Sequence, residues 1–133
     1  MDLVFDTQAL LVLYLAEGGA ESVATDLRRV LERDLKGYIN VVNLAELYYI
    51  LARKSRKQAD EKERNLRSYG VRVVSVRDRD RLWREAAMIK AKGTLSLADA
   101  FAAATATGLK AKLVTGGDAD LRGIEGLELE RVG

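Results

Sequence analysis

One helix-forming segment of this chain reads Thr94-Leu95-Ser96-Leu97-Ala98-Asp99-Ala100-Phe101-Ala102-Ala103-Ala104, small and apolar residues with one carboxylate among them. Ser96 lies three residues before Asp99, which is the spacing of a capping box, so we predict that a helix begins at Ser96 with Asp99 in its first turn. This local role accounts for Asp99 without any chemistry. A carboxylate on a closely packed helix nevertheless needs a partner, and the rest of the chain must supply one.

Length and composition restrict the function more by what is absent than by what is present. The 133 residues predict a single domain, 1–133, and 22 Lys plus Arg against 20 Asp plus Glu leave a net charge of only +2. The chain contains no Cys and no His. Disulfides, zinc sites with thiolate or imidazole ligands, cysteine nucleophiles, Ser-His triads and cleavage of RNA by paired histidines are therefore excluded. Carboxylates are the leading candidates for chemistry.

The sequence shows no signal for a membrane or for export. No apolar run reaches the roughly 18 residues of a membrane span, and residues 1–6 lack the basic start of a signal peptide. We expect a cytoplasmic protein that does not contact a membrane.

Hydrophobic periodicity predicts strands that alternate with helices. The predicted strands are 2–6, 38–42, 71–76, 111–115 and 127–132, the last at a sheet edge. The predicted helices are 9–16, 21–33, one opened by Asn43, 79–92, and one from Ser96 to a cap at Gly108, with an exposed helical hairpin arm over 53–67. The alternation indicates an α/β fold, a single doubly wound domain whose mainly parallel central sheet of four or five strands is flanked by helices.

Acidic residues follow several of the predicted strands. Asp6 closes the first strand, Glu46 lies just past the second, and Asp118 lies in the turn after the fourth. Each has a local explanation: Asp6 as a helix cap, Glu46 as the partner of Asn43 in a capping box, and Asp118 as a turn residue. The carboxyl ends of parallel strands nevertheless share one edge, and the helix carrying Asp99 leads directly into the fourth strand. We therefore expect the four acids to converge.

Converging carboxylates require a neutralising partner. Two of them about 4 Å apart repel by roughly 4 kcal/mol at an effective dielectric constant of about 20. Protonation of one is an option, but an all-oxygen set without His or Cys favours a hard divalent cation, Mg²⁺ or Mn²⁺. Such an ion activates water and stabilises charge on a phosphodiester, which predicts metal-assisted hydrolysis.

The order of these motifs resembles a known family. The motifs are Asp6-Thr7 after the first strand, Asn43-Leu44-Ala45-Glu46, Leu95-Ser96-Leu97-Ala98-Asp99-Ala100, and Leu113-Val114-Thr115 followed by Asp118-Ala119-Asp120-Leu121. Together they resemble the PIN domain, specifically its VapC-type toxin branch.

The resemblance implies a Mg²⁺- or Mn²⁺-dependent endoribonuclease that hydrolyses RNA phosphodiesters, the toxin of a type II toxin–antitoxin pair. It assigns catalysis and metal binding to Asp6, Glu46, Asp99 and Asp118, with Thr7 and Thr115 as supporting residues. It also implies a homodimer and a small antitoxin whose C-terminal segment occupies the acidic groove. The family commonly has one residue between the Thr and the last acid, whereas Gly116 and Gly117 stand there here. Asp120 therefore competes with Asp118 for the fourth position.

Two further questions stay open at this level. Arg53, Lys54, Arg56 and Lys57 follow the Glu46 segment and are predicted to contact RNA phosphates, although mixed charge in this region is also typical of a solvated surface. The alternatives to a toxin nuclease are a non-catalytic PIN-like scaffold that binds RNA or protein, and a housekeeping RNA-processing nuclease without an antitoxin. A haloacid-dehalogenase-like phosphatase ranks far behind, because Gln8 stands where that family has a second Asp.

Overall fold

The computed structural model describes residues 1–75, 77, 81–117 and 119–133, with Ala119 described by its backbone. Its strands are β1 (Leu3–Phe5), β2 (Gly37–Asn40), β3 (Arg72–Val74), β4 (Lys112–Thr115) and β5 (Glu128–Arg131). Its α-helices are α1 (Thr7–Tyr14), α2 (Ala20–Leu31), α3 (Val41–Ala52), α4 (Arg56–Ser68), α5 (Leu82–Lys92) and α6 (Leu97–Leu109), and a 3-10 helix spans Ala119–Gly123. Of the predicted element ends, Val76 and residues 79 and 80 lie outside the described residues.

The sheet confirms the predicted α/β class. Its strand order is β3-β2-β1-β4-β5, every described pair is parallel, and β5 lies at one edge as expected. Successive strands are added on one side of β1 up to β3 and then on the other side, so the order reverses between β1 and β4. Parallel αβ folds bind ligands at such a reversal, beyond the carboxyl ends of the strands.

The core lies on both faces of the sheet. Val4 and Phe5 are adjacent in β1 and face opposite ways, and each is fully buried in a different hydrophobic cluster. Phe5 packs with α1 to α4, and Val4 packs with the alanine-rich face of α6, where Ala102, Ala103 and Ala106 are fully buried. Small side chains let α6 approach the sheet closely. None of the helices in the described ranges combines the length and the hydropathy needed to cross a bilayer.

Two local predictions are wrong in position. The helix after β2 begins at Val41, because Asn40 rather than Asn43 is the N-cap and accepts a hydrogen bond from the Val42 amide at 2.8 Å. The helix α6 continues through Gly108 and ends in a left-handed Lys110, with the Ala111 amide donating to the Ala106 carbonyl at 2.9 Å.

The charged segment 53–67 is not a free arm. Within it, α4 packs against α3 and buries Ala59 and Leu66 in the main core. Polar contacts add to this packing, because the Tyr48 hydroxyl donates to the Asp60 carboxylate at 2.6 Å and the Tyr14 hydroxyl donates to Asn65 Oδ1 at 2.9 Å. A strongly charged helix therefore still has one apolar stripe that it buries.

A second buried acid lies outside the strand-end group. Asp26 occupies the core-facing stripe of α2 with Val23, Leu27 and Val30 and is only 6% exposed. Burial and contact with the Glu130 carboxyl of β5 together raise the pKa of Asp26 to about 7, against the opposing effects of Arg29 and Lys112. A protonated Asp26 is able to donate to the Glu130 carboxylate, so the contact between α2 and the edge strand depends on pH.

Replacing Asp26 by Asn should raise stability at pH 8, by on the order of 1 kcal/mol, because the amide donates to Glu130 without taking up a proton. In the wild type, the pKa of Asp26 is raised on folding from 3.8. The folded state therefore binds more protons between pH 4 and 7, and this contribution to stability is lost as pH rises through about 7. Urea unfolding at pH 5 and pH 8 measures the difference.

The exposed Asp34→Asn is the matched control, and it should retain the wild-type dependence on pH. The interpretation is wrong if Asp26→Asn loses as much stability between pH 5 and pH 8 as the wild type does.

Candidate active site at the carboxyl edge of the sheet

Asp6 lies at the point where the strand order reverses. It follows β1 directly, and its backbone amide donates to the Val114 carbonyl of β4 at 3.1 Å, which continues the pairing of the two strands to their ends. The side chain is only 1% exposed. Its Oδ1 accepts the Ala9 amide at 2.8 Å and so caps α1. Asp6 therefore caps α1 and also lies in the crevice where the strand order reverses.

The second oxygen of Asp6 is the chemically informative one. Oδ2 is buried and accepts no hydrogen bond from the part of the chain that the structure describes. Burial raises the pKa of Asp6 to about 6. The negative charge of Asp99 contributes to this rise in pKa, whereas the Thr115 hydroxyl and the amides of Ala9 and Gly116 oppose it. A buried carboxylate with a free oxygen and a second acid nearby is a group that a cation would stabilise.

Asp99 reaches Asp6 because of where α6 begins. Ser96 is the N-cap, as the sequence predicts, and its Oγ accepts a hydrogen bond from the Asp99 amide at 3.1 Å. Asp99 therefore lies in the first turn, half-buried, where the positive end of the helix dipole favours its ionised form by about 0.3–1 kcal/mol. The Ser96 cap thus determines which turn of α6 faces Asp6.

Glu46 lies in the second turn of α3, not in the first. Because Asn40 caps this helix, the predicted capping box between Asn43 and Glu46 does not form. Glu46 is half-buried.

The beginnings of three helices are joined by two hydrogen bonds through Asn43. The Thr7 hydroxyl donates to the Asn43 backbone carbonyl at 3.2 Å, and Asn43 Nδ2 donates to the Ala98 carbonyl at 3.0 Å. Thr7 follows Asp6, and Ala98 precedes Asp99. The residue next to each acid is therefore tied to α3 one turn before Glu46. Sequence reasoning missed this role of Asn43, although its 43, 47, 51 spacing with two buried leucines is a core-facing pattern that could have shown it.

The turn after β4 comes close to Asp6. The Gly117 amide donates to the Thr115 hydroxyl at 2.8 Å. A Cβ added at Gly117 would lie 3.2 Å from that hydroxyl and 3.6 Å from Asp6 Oδ2. Because Gly117 has no Cβ, its backbone is able to lie close to Asp6. Asp118, the predicted fourth acid, lies outside the described residues.

Asp120, the competing fourth acid, has a different environment. It is exposed on the 3-10 helix, and its carboxylate accepts a hydrogen bond from the Thr94 hydroxyl. It lines a groove of about 900 Å³ with residues of α5, and among the described lining residues there is no Asp6, Glu46 or Asp99.

The donor set fits a hard divalent cation. Among the described residues no three acidic side chains gather closely enough to hold a metal by themselves, but Mg²⁺ is commonly bound through one or two carboxylates and several waters. The unpartnered Asp6 Oδ2 with Asp99 beside it meets that requirement. Glu46 lies one helical turn beyond the Asn43 junction, and among the described residues it does not join Asp6 and Asp99 in a group of three acids.

Replacing Asp6 by Asn should raise stability at pH 8 by on the order of 1–3 kcal/mol, because the amide still caps α1 and no buried charge remains. Since the pKa of Asp6 is raised on folding, from 3.8 to about 6, the wild type loses this contribution as pH rises through about 6. The advantage of the variant should therefore vanish near pH 4. Chemical unfolding across this range measures it.

Asp6→Ala is the control, because it removes the charge and the helix cap together. Its gain in stability at pH 8 should be about 1 kcal/mol smaller than that of Asp6→Asn. An Asp6→Asn variant that is less stable than the wild type at pH 8 would show that Asp6 is not a destabilised carboxylate.

Comparison with known proteins agrees with this architecture. A family model described as the PIN domain matches residues 3–127. None of the curated proteins compared matches the chain in sequence. Among solved structures, VapBC2 from Rickettsia felis, bound to a DNA fragment from its promoter, matches with a TM-score of 0.79 and 18% identity, covering 100% of both chains.

Two other solved structures are similar over most of their length. A toxin–antitoxin complex from Klebsiella pneumoniae has a TM-score of 0.68 and 18% identity and covers 95% of each chain. Mycobacterium tuberculosis VapC20, described as a sarcin-ricin loop cleaving toxin, has a TM-score of 0.66 and 16% identity, covering 92% of this chain and 94% of that one. At these identities the likeness shows a shared fold.

Proposed function

We propose that this chain, which belongs to the PIN domain family, is a divalent-metal-dependent endoribonuclease of the cytoplasm and the toxin of a type II toxin–antitoxin pair. The observation that carries the proposal is the buried Asp6 carboxylate, whose Oδ2 lacks a hydrogen-bond donor among the described residues and whose neighbour is a second acid. A protein without His or Cys has few other means of activating water near such a group.

In this proposal the site residues have separate roles in binding the metal and in supporting its ligands. Asp6 and Asp99 would hold Mg²⁺ or Mn²⁺ directly or through water, with Glu46 and Asp118 completing the shell or orienting the attacking water. Thr115 supports Asp6, and Thr7 holds the start of α1 against α3. The bound cation would supply an activated water and stabilise the charge that develops on the phosphodiester. Burial keeps bulk water away from Asp6, which strengthens its interaction with a cation.

Cleavage of a structured RNA should require Mg²⁺ or Mn²⁺ and should be lost in Asp6→Asn and in Asp99→Asn, because each removes a ligand charge and leaves the fold intact. Gel analysis of labelled RNA with and without the cation measures this. Asp34→Asn, an exposed acid elsewhere on the surface, should cleave like the wild type.

The same assay decides the fourth acid, because Asp118→Asn and Asp120→Asn should differ in activity if only one of them serves the metal. RNA binding without cleavage would favour the scaffold alternative. Activity that is independent of metal and survives both Asp6→Asn and Asp99→Asn would refute the mechanism.

We propose that the bound RNA extends from the acids to the basic turn after α3. Arg53, Lys54, Arg56 and Lys57 are all exposed at this turn. Arg53 lies seven residues beyond Glu46, on the same side of α3 and ~10 Å further along its axis. Between them is Tyr49, which is 46% exposed, with the Arg53 guanidinium 4.8 Å from its ring centroid. An exposed ring under an arginine suits stacking of an unpaired base, beside phosphate contacts.

Neutralising the four basic residues to Gln should flatten the salt dependence of RNA binding, reducing the slope of log K against log[salt] by up to about 3 for a single strand. Binding is measured on the Asp99→Asn background without metal, so that no cleavage occurs. Tyr49→Ala should weaken binding with little change in slope, because stacking releases no counterions.

Arg28→Gln combined with Arg33→Gln, two exposed arginines at the far end of α2, is the control and should leave the slope unchanged. If the four-residue variant keeps the wild-type slope, RNA does not contact this turn.

The partners are also part of the proposal. Structures similar in fold include complexes named as VapBC2 and as a toxin–antitoxin complex, so we propose a small antitoxin whose C-terminal segment enters the acidic groove. A homodimer is proposed as well, supported by Trp83 and Met88 of α5 and Leu97 of α6, apolar side chains that are each about half exposed. Sedimentation of the pure chain, alone and with the product of a short reading frame beside its gene, tests both; a monomer that binds no such product would contradict them.

A further inference from the structure

Asn43 occupies the junction of three helices that carry the acids. It is 1% exposed, and its side-chain Nδ2 donates to the Ala98 carbonyl at 3.0 Å, immediately before Asp99. Its backbone carbonyl accepts from the Thr7 hydroxyl at 3.2 Å, immediately after Asp6. Glu46 follows on the same helix, one turn later. The hydrogen bonds of Asn43 therefore connect the neighbours of two of these acids.

Stability alone does not explain an asparagine at this position. Asn43 shares the core-facing stripe of α3 with Leu47 and Leu51, where an apolar side chain would be buried without loss of polar hydration. Its Oδ1 is buried and accepts no hydrogen bond from the residues that the structure describes, which is unfavourable for folding. Polar residues held at such a cost are expected where geometry matters more than stability.

We propose that Asn43 is the positioning residue of the metal site: its side-chain amide holds the first turn of α6 against α3 and so sets the position of Asp99 relative to Glu46 and Asp6. The inference rests on the proposed function, because it takes these acids to be metal ligands. Groups that orient ligands without touching the metal commonly change its affinity by about 10–100-fold.

Asn43→Leu separates positioning from stability, because leucine keeps the branched heavy-atom shape of asparagine and lacks the donor to Ala98. Mn²⁺ binding is measured by titration calorimetry, and the urea midpoint is measured on the same samples without metal. We expect Mn²⁺ affinity to fall about 10–100-fold while the urea midpoint stays at the wild-type value or rises. Asn43→Ala, which avoids overpacking by the larger side chain, should lose affinity in the same range.

Asn40→Ala is the matched control. Asn40 is also a buried asparagine that links α3 to α6, since its Nδ2 donates to the Thr105 hydroxyl at 3.0 Å, but Thr105 lies more than a turn beyond Asp99. Because Asn40 also caps α3, this variant should lose more stability than Asn43→Leu yet bind Mn²⁺ within about twofold of the wild type.

The outcomes are distinguishable. Wild-type affinity in both Asn43 variants, or an equal loss in Asn40→Ala, would overturn the positioning role while leaving the metal site intact. A wild-type protein that binds no Mn²⁺ would overturn the proposed function, and the positioning role with it. Reduced affinity confined to the Asn43 variants, at an unchanged urea midpoint, supports the inference.

Discussion

The architecture of the site depends on one unfavourable arrangement, the burial of the Asp6 carboxylate with one oxygen capping α1 and the other unpartnered among the described residues. The cap explains why the chain tolerates an acid there, because it supplies one charge-assisted hydrogen bond from the Ala9 amide. The cap does not compensate for burial of the carboxylate, which together with the nearby charge of Asp99 raises the pKa of Asp6 to about 6. A carboxylate held in this state gains stability when a cation or a proton binds.

The elements around Asp6 hold its carboxylate in this buried position. Parallel pairing of β1 with β4 brings the Gly117 turn to within van der Waals reach of Asp6, and the Ser96 cap determines where Asp99 enters. Asn43 then connects α3 to the residues beside both acids through two hydrogen bonds. Helix starts joined in this way cannot separate freely to relieve the repulsion between the carboxylates. The positions of the two acids are therefore determined by backbone elements that the rest of the fold holds in place.

The two buried aspartates of the described chain, Asp26 and Asp6, have different charged groups around them. Asp26, whose Oδ2 likewise accepts no hydrogen bond from the described residues, faces the Glu130 carboxyl, and the positive charges of Arg29 and Lys112 oppose the rise of its pKa. Asp6 has hydrogen-bond donors and another acid but no basic side chain among the causes of its shifted pKa. That difference is the reason to regard the carboxyl edge of β1 and β4, and not the α2–β5 contact, as the cation site.

The residue pattern alone was sufficient for the α/β class, the alternation of strands and helices, the edge strand and the capped start of the Ser96 helix, because each of these depends on periodicity and short-range hydrogen bonding. Three features of the structure depend on contacts between residues that are distant in the chain. The side-chain amide of Asn43, which does not cap α3, donates to the Ala98 carbonyl 55 positions away, and α4 buries an apolar stripe against α3 despite its charge. The approach of Asp99 to Asp6 likewise needed the sheet to bring β1 and β4 together. Local sequence specifies which residues are able to cap, pack or ionise, and the tertiary contacts determine which of these roles each residue takes.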